Sequence, residues 1–123
     1  MPGPLEGYKV LELTSTVSGP FASMMLADQG ADVIKVEPPG IGDLARFMGA
    51  TKSGIGAMFT VLNRNKQCIC LDLKNTDDFK VLQTLIKKTD VLIENYRPGI
   101  VKKLGIDYDS AVKINPEIIY CSI

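Results

Sequence analysis

The side chains best suited to chemistry follow four short apolar runs of this sequence. The segments after those runs are residues 14–19, 37–46, 72–75 and 95–99. They carry hydroxyl groups, the amide of Asn95 and the basic side chains of Arg46, Lys74 and Arg97. If the runs are parallel strands, these segments meet at one edge of the sheet, where open sheets bind ligands. Predicted helices follow the first, third and fourth segments, and helix N-termini attract anions. The pattern therefore predicts a site for a phosphate-bearing ligand.

Several kinds of site are excluded by composition. The 123 residues include no histidine, so this chain alone cannot form a Ser-His-Asp triad. Its three cysteines, Cys68, Cys70 and Cys121, have no CxxC spacing, which argues against a disulfide framework and against a metal site. We interpret them as buried thiols in or beside strands, in a reducing compartment. Neither the dinucleotide fingerprint nor a P-loop follows the first apolar run, which continues as residues 15–20, STVSGP.

The charge balance gives no reason to expect nucleic acid or membrane as a partner. Lys plus Arg and Asp plus Glu each total 14, so any anion site must be local. No apolar run approaches the ~20 residues that span a bilayer. The N-terminal residues lack the basic and apolar regions of a signal peptide. These observations predict a cytoplasmic protein.

Apolar runs alternate with helical periodicity along the chain. The runs predict strands at 9–13, 32–36, 68–72, 91–94 and 117–123. Helices are predicted from Pro20 to the Gly30 cap, over 56–63, from a cap at Asn75 or Thr76 to Lys88, and over 100–104 and 108–114, with a loop at 38–54. This order indicates an α/β fold, with a mostly parallel sheet and helices on both faces. Because the sequence stops within the last predicted strand, we expect residues 1–123 to be part of a longer protein.

Each candidate residue also has an ordinary structural interpretation. Arg46 and Arg97 could be solvated charges, and Asp72 and Asn95 could be turn residues. Lys66 and Lys74 could keep the ends of one strand in water. Carboxylates such as Glu12 and Glu37, within or at the end of a strand, commonly accept hydrogen bonds from nearby backbone N–H groups. Composition and spacing alone predict an α/β domain with an anion site.

A set of segments makes the interpretation more specific. They are residues 4–14, 19–20, 26–40, 62–66, 71–74, 90–99 and 114–120. In their order and spacing they resemble the class III CoA-transferase family, which includes formyl-CoA and carnitine-CoA transferases and 2-methylacyl-CoA racemases. Family members are about three times longer and form an interlocked homodimer. The resemblance therefore implies a fragment, the N-terminal part of a Rossmann-like domain that binds coenzyme A.

The resemblance also implies the site residues and the partners. The residues expected to contact CoA are Ser15, Val17, Ser18, Arg46, Leu71, Asp72, Leu73, Lys74, Asn95, Arg97 and Lys103. Coenzyme A would enter as an acyl-CoA substrate, a carboxylic acid would be the second substrate, and no metal is expected. Formyl-CoA transferase has His and Gln where Ser15 and Val17 stand here, and an Arg near Pro38. These departures leave the acid substrates and the detailed CoA contacts open.

Family chemistry uses an aspartate that attacks the thioester, forms a mixed anhydride and releases CoA thiolate. That aspartate lies beyond residue 123 in the family, so we expect no catalytic residue in this chain. A racemase is the competing activity within the family, although residues 44–62 resemble the transferases and are shortened in animal racemases. The sequence is also compatible with a non-catalytic CoA- or nucleotide-binding module, or with a gene remnant.

Overall fold

The computed structural model describes residues 2–123 and contains seven strands. These are β1 (Lys9–Leu13), β2 (Asp32–Glu37), β3 (Thr51–Lys52), β4 (Ile55–Gly56), β5 (Lys66–Cys70), β6 (Val91–Glu94) and β7 (Ile119–Ser122). Five of them form one sheet in the order β5-β2-β1-β6-β7, and every neighbouring pair is parallel. β3 and β4 form a separate antiparallel hairpin. The predicted parallel sheet is confirmed.

The strand order places a change of direction beside β1. From β1 the chain moves outward through β2 to β5, and then returns to β6 on the other side of β1. Loops that leave β1 and β6 therefore diverge to opposite faces of the sheet. Such a switch point leaves a crevice beyond the carboxyl ends of the strands.

The helices are α1 (Ser18–Asp28), α2 (Ala57–Leu62), α3 (Thr76–Lys87), α4 (Ile100–Leu104) and α5 (Tyr108–Ile114), with a 3-10 turn at Leu44–Phe47. The Asn75 side chain accepts hydrogen bonds from the N–H groups of Asp77 and Asp78, so the predicted cap of α3 is confirmed. α1 begins two residues before Pro20, which is its third residue. The predicted loop at 38–54 also contains the 3-10 turn and β3.

Helices pack on both faces of the sheet, as predicted. The larger apolar cluster joins Leu11 and Leu92 of the strands to Leu82 and Ile86 of α3, and it includes Ala111 of α5. A smaller cluster on the other face joins strand residues to α1, and its members include Val10, Val33, Ile93 and Ala27. Successive strand residues point to opposite faces, which divides β1 between the two clusters.

The interpretation of the cysteines as buried thiols is wrong for two of them. Cys68 and Cys70 are exposed, and Cys121 is half-buried. β5 lies at the edge of the sheet and pairs only with β2, so its side chains have a neighbouring strand on one side only. The strand also begins two residues earlier than predicted, at Lys66.

Candidate ligand site at the strand ends

A cavity of about 390 Å³ opens at the carboxyl ends of β1, β2, β5 and β6. The predicted site residues that line it are Ser15, Leu71, Asp72, Leu73, Lys74, Asn95 and Arg97. The other lining residues are Leu13, Thr14, Val36, Glu37, Pro38, Gly42, Asp43, Tyr96 and Leu104. The structure therefore brings together the segments that follow four separate strands, as the parallel sheet requires.

The cavity combines an apolar wall with cations at its rim. Leu13, Val36 and Leu71 are buried at the ends of their strands and form part of the wall. Lys74 and Arg97 are exposed and face the same opening. A mostly apolar concave site with a few polar groups is typical of small-molecule binding sites. This arrangement suits a ligand that has both an apolar part and an anionic part.

Asn95 ties the loop after β6 to the loop after β1. Its side-chain Oδ1 accepts the N–H of Ser15 at 3.0 Å, and its Nδ2 donates to the Ser15 carbonyl at 2.9 Å. Nδ2 also lies 3.5 Å from Ser18 Oγ. Both ends of the amide are thus engaged within the protein, so Asn95 shapes the cavity rather than offering free hydrogen-bonding groups.

Asp72 is a turn residue, as its ordinary interpretation predicted. The N–H of Lys74 donates to Asp72 Oδ1 at 3.0 Å, and the N–H of Asp72 donates to Asp78 Oδ2 at 2.8 Å. Since the Asn75 side chain accepts the N–H groups of Asp77 and Asp78, two of the donors that α3 was expected to offer to an anion are occupied. By contrast, Val17 at the N-cap of α1 forms no side-chain cap, so within the described residues that N-terminus lacks a side-chain acceptor.

A buried cluster of charges lies beneath the cavity. Glu12 Oε1 is 2.8 Å from Lys35 Nζ, Glu12 Oε2 is 2.8 Å from Lys66 Nζ, and all three side chains are fully buried. Glu12 also accepts hydrogen bonds from the hydroxyls of Thr14 and Ser23, at 2.6 and 2.7 Å. The expectations that Lys66 keeps a strand end in water and that Glu12 binds backbone N–H groups are therefore wrong. Burial raises the pKa of the Glu12 carboxyl, but the charges of Lys35 and Lys66 outweigh it, and the pKa lies below its ordinary value.

Asp43 connects this cluster to the cavity. Its Oδ2 lies 2.8 Å from Lys35 Nζ, and its Oδ1 accepts the N–H of Thr16 at 2.8 Å. Burial raises the pKa of the Asp43 carboxyl, but hydrogen bonds from Lys35 and from the N–H groups of Ala45 and Thr16 lower it below its ordinary value. Asp43 belongs to the segment 37–46 that was expected at this edge of the sheet, but no local feature of the sequence distinguishes it from the other residues of that segment.

Arg46 is occupied by Glu37. Its Nε and Nη2 each donate to the Glu37 carboxylate at 2.7 Å, and its guanidinium lies 3.8 Å from the centre of the Phe59 ring. Arg46 is therefore not a solvated charge, and it does not line the main cavity. It lines a second cavity of about 360 Å³, together with Cys68 and Cys70.

Three other predicted contacts lie outside the main cavity. Val17 and Ser18 are exposed at the start of α1, and Lys103 is exposed on α4. Leu104, the next residue after Lys103, lines the cavity instead. Lys103 was predicted from the resemblance alone, whereas Val17 and Ser18 lie in the segment 14–19 that follows the first predicted strand.

The fold is a doubly wound α/β domain with an open cavity at its switch point. Within residues 2–123, no three His, Cys, Asp or Glu side chains are grouped to hold a metal ion, and no helix is long and apolar enough to cross a membrane. The sequence model of CoA-transferase family III matches residues 5–123. The chain belongs to that family.

The curated proteins to which this chain is similar are named as CoA-transferases. Acetyl-CoA:oxalate CoA-transferase from Acetobacter aceti is 42% identical, over 98% of this chain and 31% of its own length. Succinyl-CoA:glutarate CoA-transferase from Homo sapiens is 45% identical, over 98% of this chain and 28% of its own length. Formyl-CoA:oxalate CoA-transferase from Bradyrhizobium is 45% identical, over 97% and 28%. The chain thus spans slightly less than a third of each of these relatives.

Solved structures show the same fold. A CAIB/BAIF family protein from Brucella suis matches with a TM-score of 0.92 and 40% identity, over 99% of this chain and 33% of that protein. The Mycobacterium tuberculosis protein Rv3272 matches with a TM-score of 0.89 and 37% identity, over 98% and 34%. The curated relatives are CoA-transferases by name, and the folds of these solved structures agree with this chain over nearly its whole length.

Proposed function

We propose that residues 1–123 are the N-terminal part of the CoA-binding domain of an enzyme that moves CoA between an acyl-CoA and a free carboxylic acid. The main observation in support is the cavity at the strand ends, formed by segments of a chain that belongs to CoA-transferase family III. The whole enzyme's activity is part of the proposal, because this chain spans less than a third of the named transferases.

The lining of the cavity fits the chemistry of CoA. Leu71, Leu73 and Leu104 give apolar surface for the adenine ring and the pantetheine arm. Lys74 and Arg97 supply positive charge at the rim, where charge-assisted hydrogen bonds to phosphate oxygens are strong. The Asp72 carboxylate at the same rim can accept a hydrogen bond from a ribose hydroxyl.

The reaction we propose needs a carboxylate nucleophile from elsewhere in the full-length protein. Its oxygen bonds to the acyl carbon, the C–S bond breaks, and CoA leaves as the thiolate, which gives a mixed anhydride. The thiolate then attacks the enzyme's own acyl carbon in the anhydride, which releases the donor acid and leaves an enzyme thioester. The acceptor carboxylate displaces the thiolate from that thioester to form a second anhydride, and the thiolate attacks the acceptor's acyl carbon, so the acceptor leaves as its CoA thioester and the enzyme carboxylate is regenerated. The cavity carboxylates of this chain are poorly suited to that role, since Asp72 accepts a backbone N–H in its turn and Asp43 is buried against Lys35.

The relatives' names favour transfer over racemisation. Acetyl-CoA:oxalate and succinyl-CoA:glutarate transferases act on pairs of acids, and this chain is 42% and 45% identical to them. We further propose a homodimer as the assembly of the full-length protein, and an acyl-CoA and a carboxylic acid as its substrates.

Calorimetric titration of the full-length protein with CoA tests the binding site. Lys74→Ala removes a rim cation, and we expect about fivefold to tenfold weaker binding at low salt, an effect that shrinks at high salt. Lys87→Ala is the matched control, because Lys87 lies in the last turn of α3, the helix that begins just after Lys74. Equal affinities of the two variants would contradict the role of Lys74, and no binding by the parent protein would contradict the site.

An assay of the products separates the two reactions. The full-length protein is incubated with a chiral 2-methylacyl-CoA in deuterium oxide, with and without a dicarboxylic acid. Transfer predicts a new thioester that forms only when the acid is present. Exchange of the α-proton without any acid would instead establish the racemase.

A further inference from the structure

The loop that follows β1 adopts a conformation that its sequence disfavours. Thr16 has a φ of 74°, in the left-handed region, although its Cβ is branched. A β-branched residue is strained there and adopts this conformation only when its surroundings impose it. Thr16 sits between Ser15 of the cavity wall and the first residues of α1. Something in the structure must hold this loop.

The Asp43 carboxylate supplies the acceptor that holds it. Oδ1 accepts the N–H of Thr16 at 2.8 Å and lies 3.1 Å from the donating Oγ of Ser15. The same oxygen accepts the N–H of Ala45 at 2.9 Å, which fixes the carboxylate to its own loop. Asp43 is 1% exposed, so these bonds face little competition from water.

The carboxylate is itself fixed from two sides. Lys35 Nζ lies 2.8 Å from Oδ2, and the Asp43 N–H donates to Glu37 Oε2 at 2.8 Å. Glu37 in turn is paired with Arg46. The loop after β2 is thus fixed to β2 itself by these contacts, and Asp43 links it to the loop after β1.

We propose that Asp43 is a positioning residue, which holds Ser15 and Thr16, and with them this wall of the cavity, in the shape that binds CoA before CoA arrives. The inference rests on the proposed function, since it concerns the same cavity. Without this acceptor the strained loop relaxes, and CoA must then order it on binding, which lowers affinity. Because Asp43 acts through Ser15 and Thr16, replacing it should raise KM for the CoA substrate more than it lowers kcat.

A pair of double variants of the full-length protein tests the proposal. Lys35→Met/Asp43→Asn and Lys35→Met/Asp43→Ala each remove one positive and one negative buried charge, so both leave Glu12 and Lys66 paired. The Asn side chain keeps an oxygen for Ser15 and Thr16, and the Ala side chain does not. We expect the Ala variant to bind CoA about tenfold more weakly than the Asn variant, the loss typical of a removed buried acceptor.

A merely structural role gives a different result. It lowers the melting temperature and the fraction of active enzyme, and leaves the KM of the folded fraction equal in the two variants. Equal CoA affinities of the two folded variants would overturn the proposal. Failure of the parent protein to bind CoA would instead contradict the proposed function.

A third substitution tests the strain directly. Adding Thr16→Gly to Lys35→Met/Asp43→Ala should restore about threefold of the affinity, because glycine adopts positive φ without a steric penalty. No recovery would overturn the role assigned to Thr16.

If the Ala variant does not fold, hydrogen exchange in the parent protein tests the proposal instead. A Thr16 amide that exchanges in the absence of CoA at least about 100-fold more slowly than an open loop supports the proposal. An unprotected amide refutes it.

Discussion

The two faces of the sheet are stabilised by different kinds of interaction. On the face covered by α3 and α5, Leu11 of β1 packs against a fully apolar cluster. On the face covered by α1, the neighbouring Glu12 of β1 lies in a buried ionic cluster with Lys35 and Lys66. Apolar contacts are non-directional, whereas each buried charge requires particular partners. The first face therefore mainly supplies stability, and the second also fixes geometry, which Asp43 carries to the cavity.

The largest effect is expected from removing one charge of the ionic face. Lys35→Met leaves Glu12 with Lys66 and leaves the buried Asp43 carboxylate without a cationic partner, so we expect a loss of about 3–5 kcal/mol of unfolding free energy. Urea denaturation of the full-length protein measures it. Lys35→Met/Asp43→Asn restores the charge balance and should recover about half of the loss. A single variant as stable as its parent would contradict the view that this face depends on exact charge partners.

A cavity in the apolar face should have a similar but smaller effect. Leu82 of α3 is fully buried in the larger cluster, and Leu82→Ala should cost about 3 kcal/mol. Because Leu82 itself does not line the cavity, the affinity of the folded protein for CoA should be unchanged. Denaturation and calorimetry on the same variant measure both quantities. A marked loss of CoA affinity would show that this face also controls the shape of the site.

The smallest expected effect is the change of stability with acid pH, which should depend on the ionic face and not on the apolar face. The pKa values of Glu12 and Asp43 are lowered on folding, because their basic partners and hydrogen bonds outweigh burial. A carboxyl group whose pKa is lowered on folding stabilises the folded state at pH values above its unfolded-state pKa. That stabilisation is lost as the pH falls toward the folded-state pKa. Between pH 7 and 5 we expect a change of less than about 1 kcal/mol, with the loss setting in below about pH 4.

The melting temperature of the parent and of two variants, measured against pH, tests this expectation. Leu82→Ala should shift the whole curve downward and keep its acid limb. Lys35→Met/Asp43→Asn should have a shallower acid limb, because the amide at position 43 does not titrate. Identical acid limbs in all three proteins would show that the ionic cluster does not control the pH dependence.

Much of the fold could be predicted from local sequence. The strands at 9–13 and 91–94 and the helices at 100–104 and 108–114 have the predicted bounds, since short apolar runs and periodic segments are bounded by clear turn residues. Residue type and position alone limited the cap of α3 to Asn75 or Thr76, and the structure shows that it is Asn75. The parallel arrangement followed from the alternation of strands and helices.

The site was predictable only where it depends on a strand end. Residues 72–74 and Asn95 could be placed at the cavity because they belong to segments at the ends of predicted strands, whereas Leu71 was expected there from the resemblance. Asp43 lies in the segment 37–46 that was expected at this edge, but it stands six residues after the end of β2, and nothing in the local pattern identifies it as the residue that contacts Thr16. The partners of Arg46 and Lys66 were missed for the same reason.

The sequence by itself determined which segments are strands and helices, which strand ends carry polar groups, and which family the segments resemble. These properties depend on residues that are neighbours in the sequence, so they do not depend on how the chain folds. The tertiary structure alone decided which charges are buried together. Glu12, Lys35 and Lys66 come from three different strands, and their separation in space depends on the register of the sheet. A buried ion pair exists only when the fold brings both charges within a few ångströms and removes the water, and no local pattern contains that information.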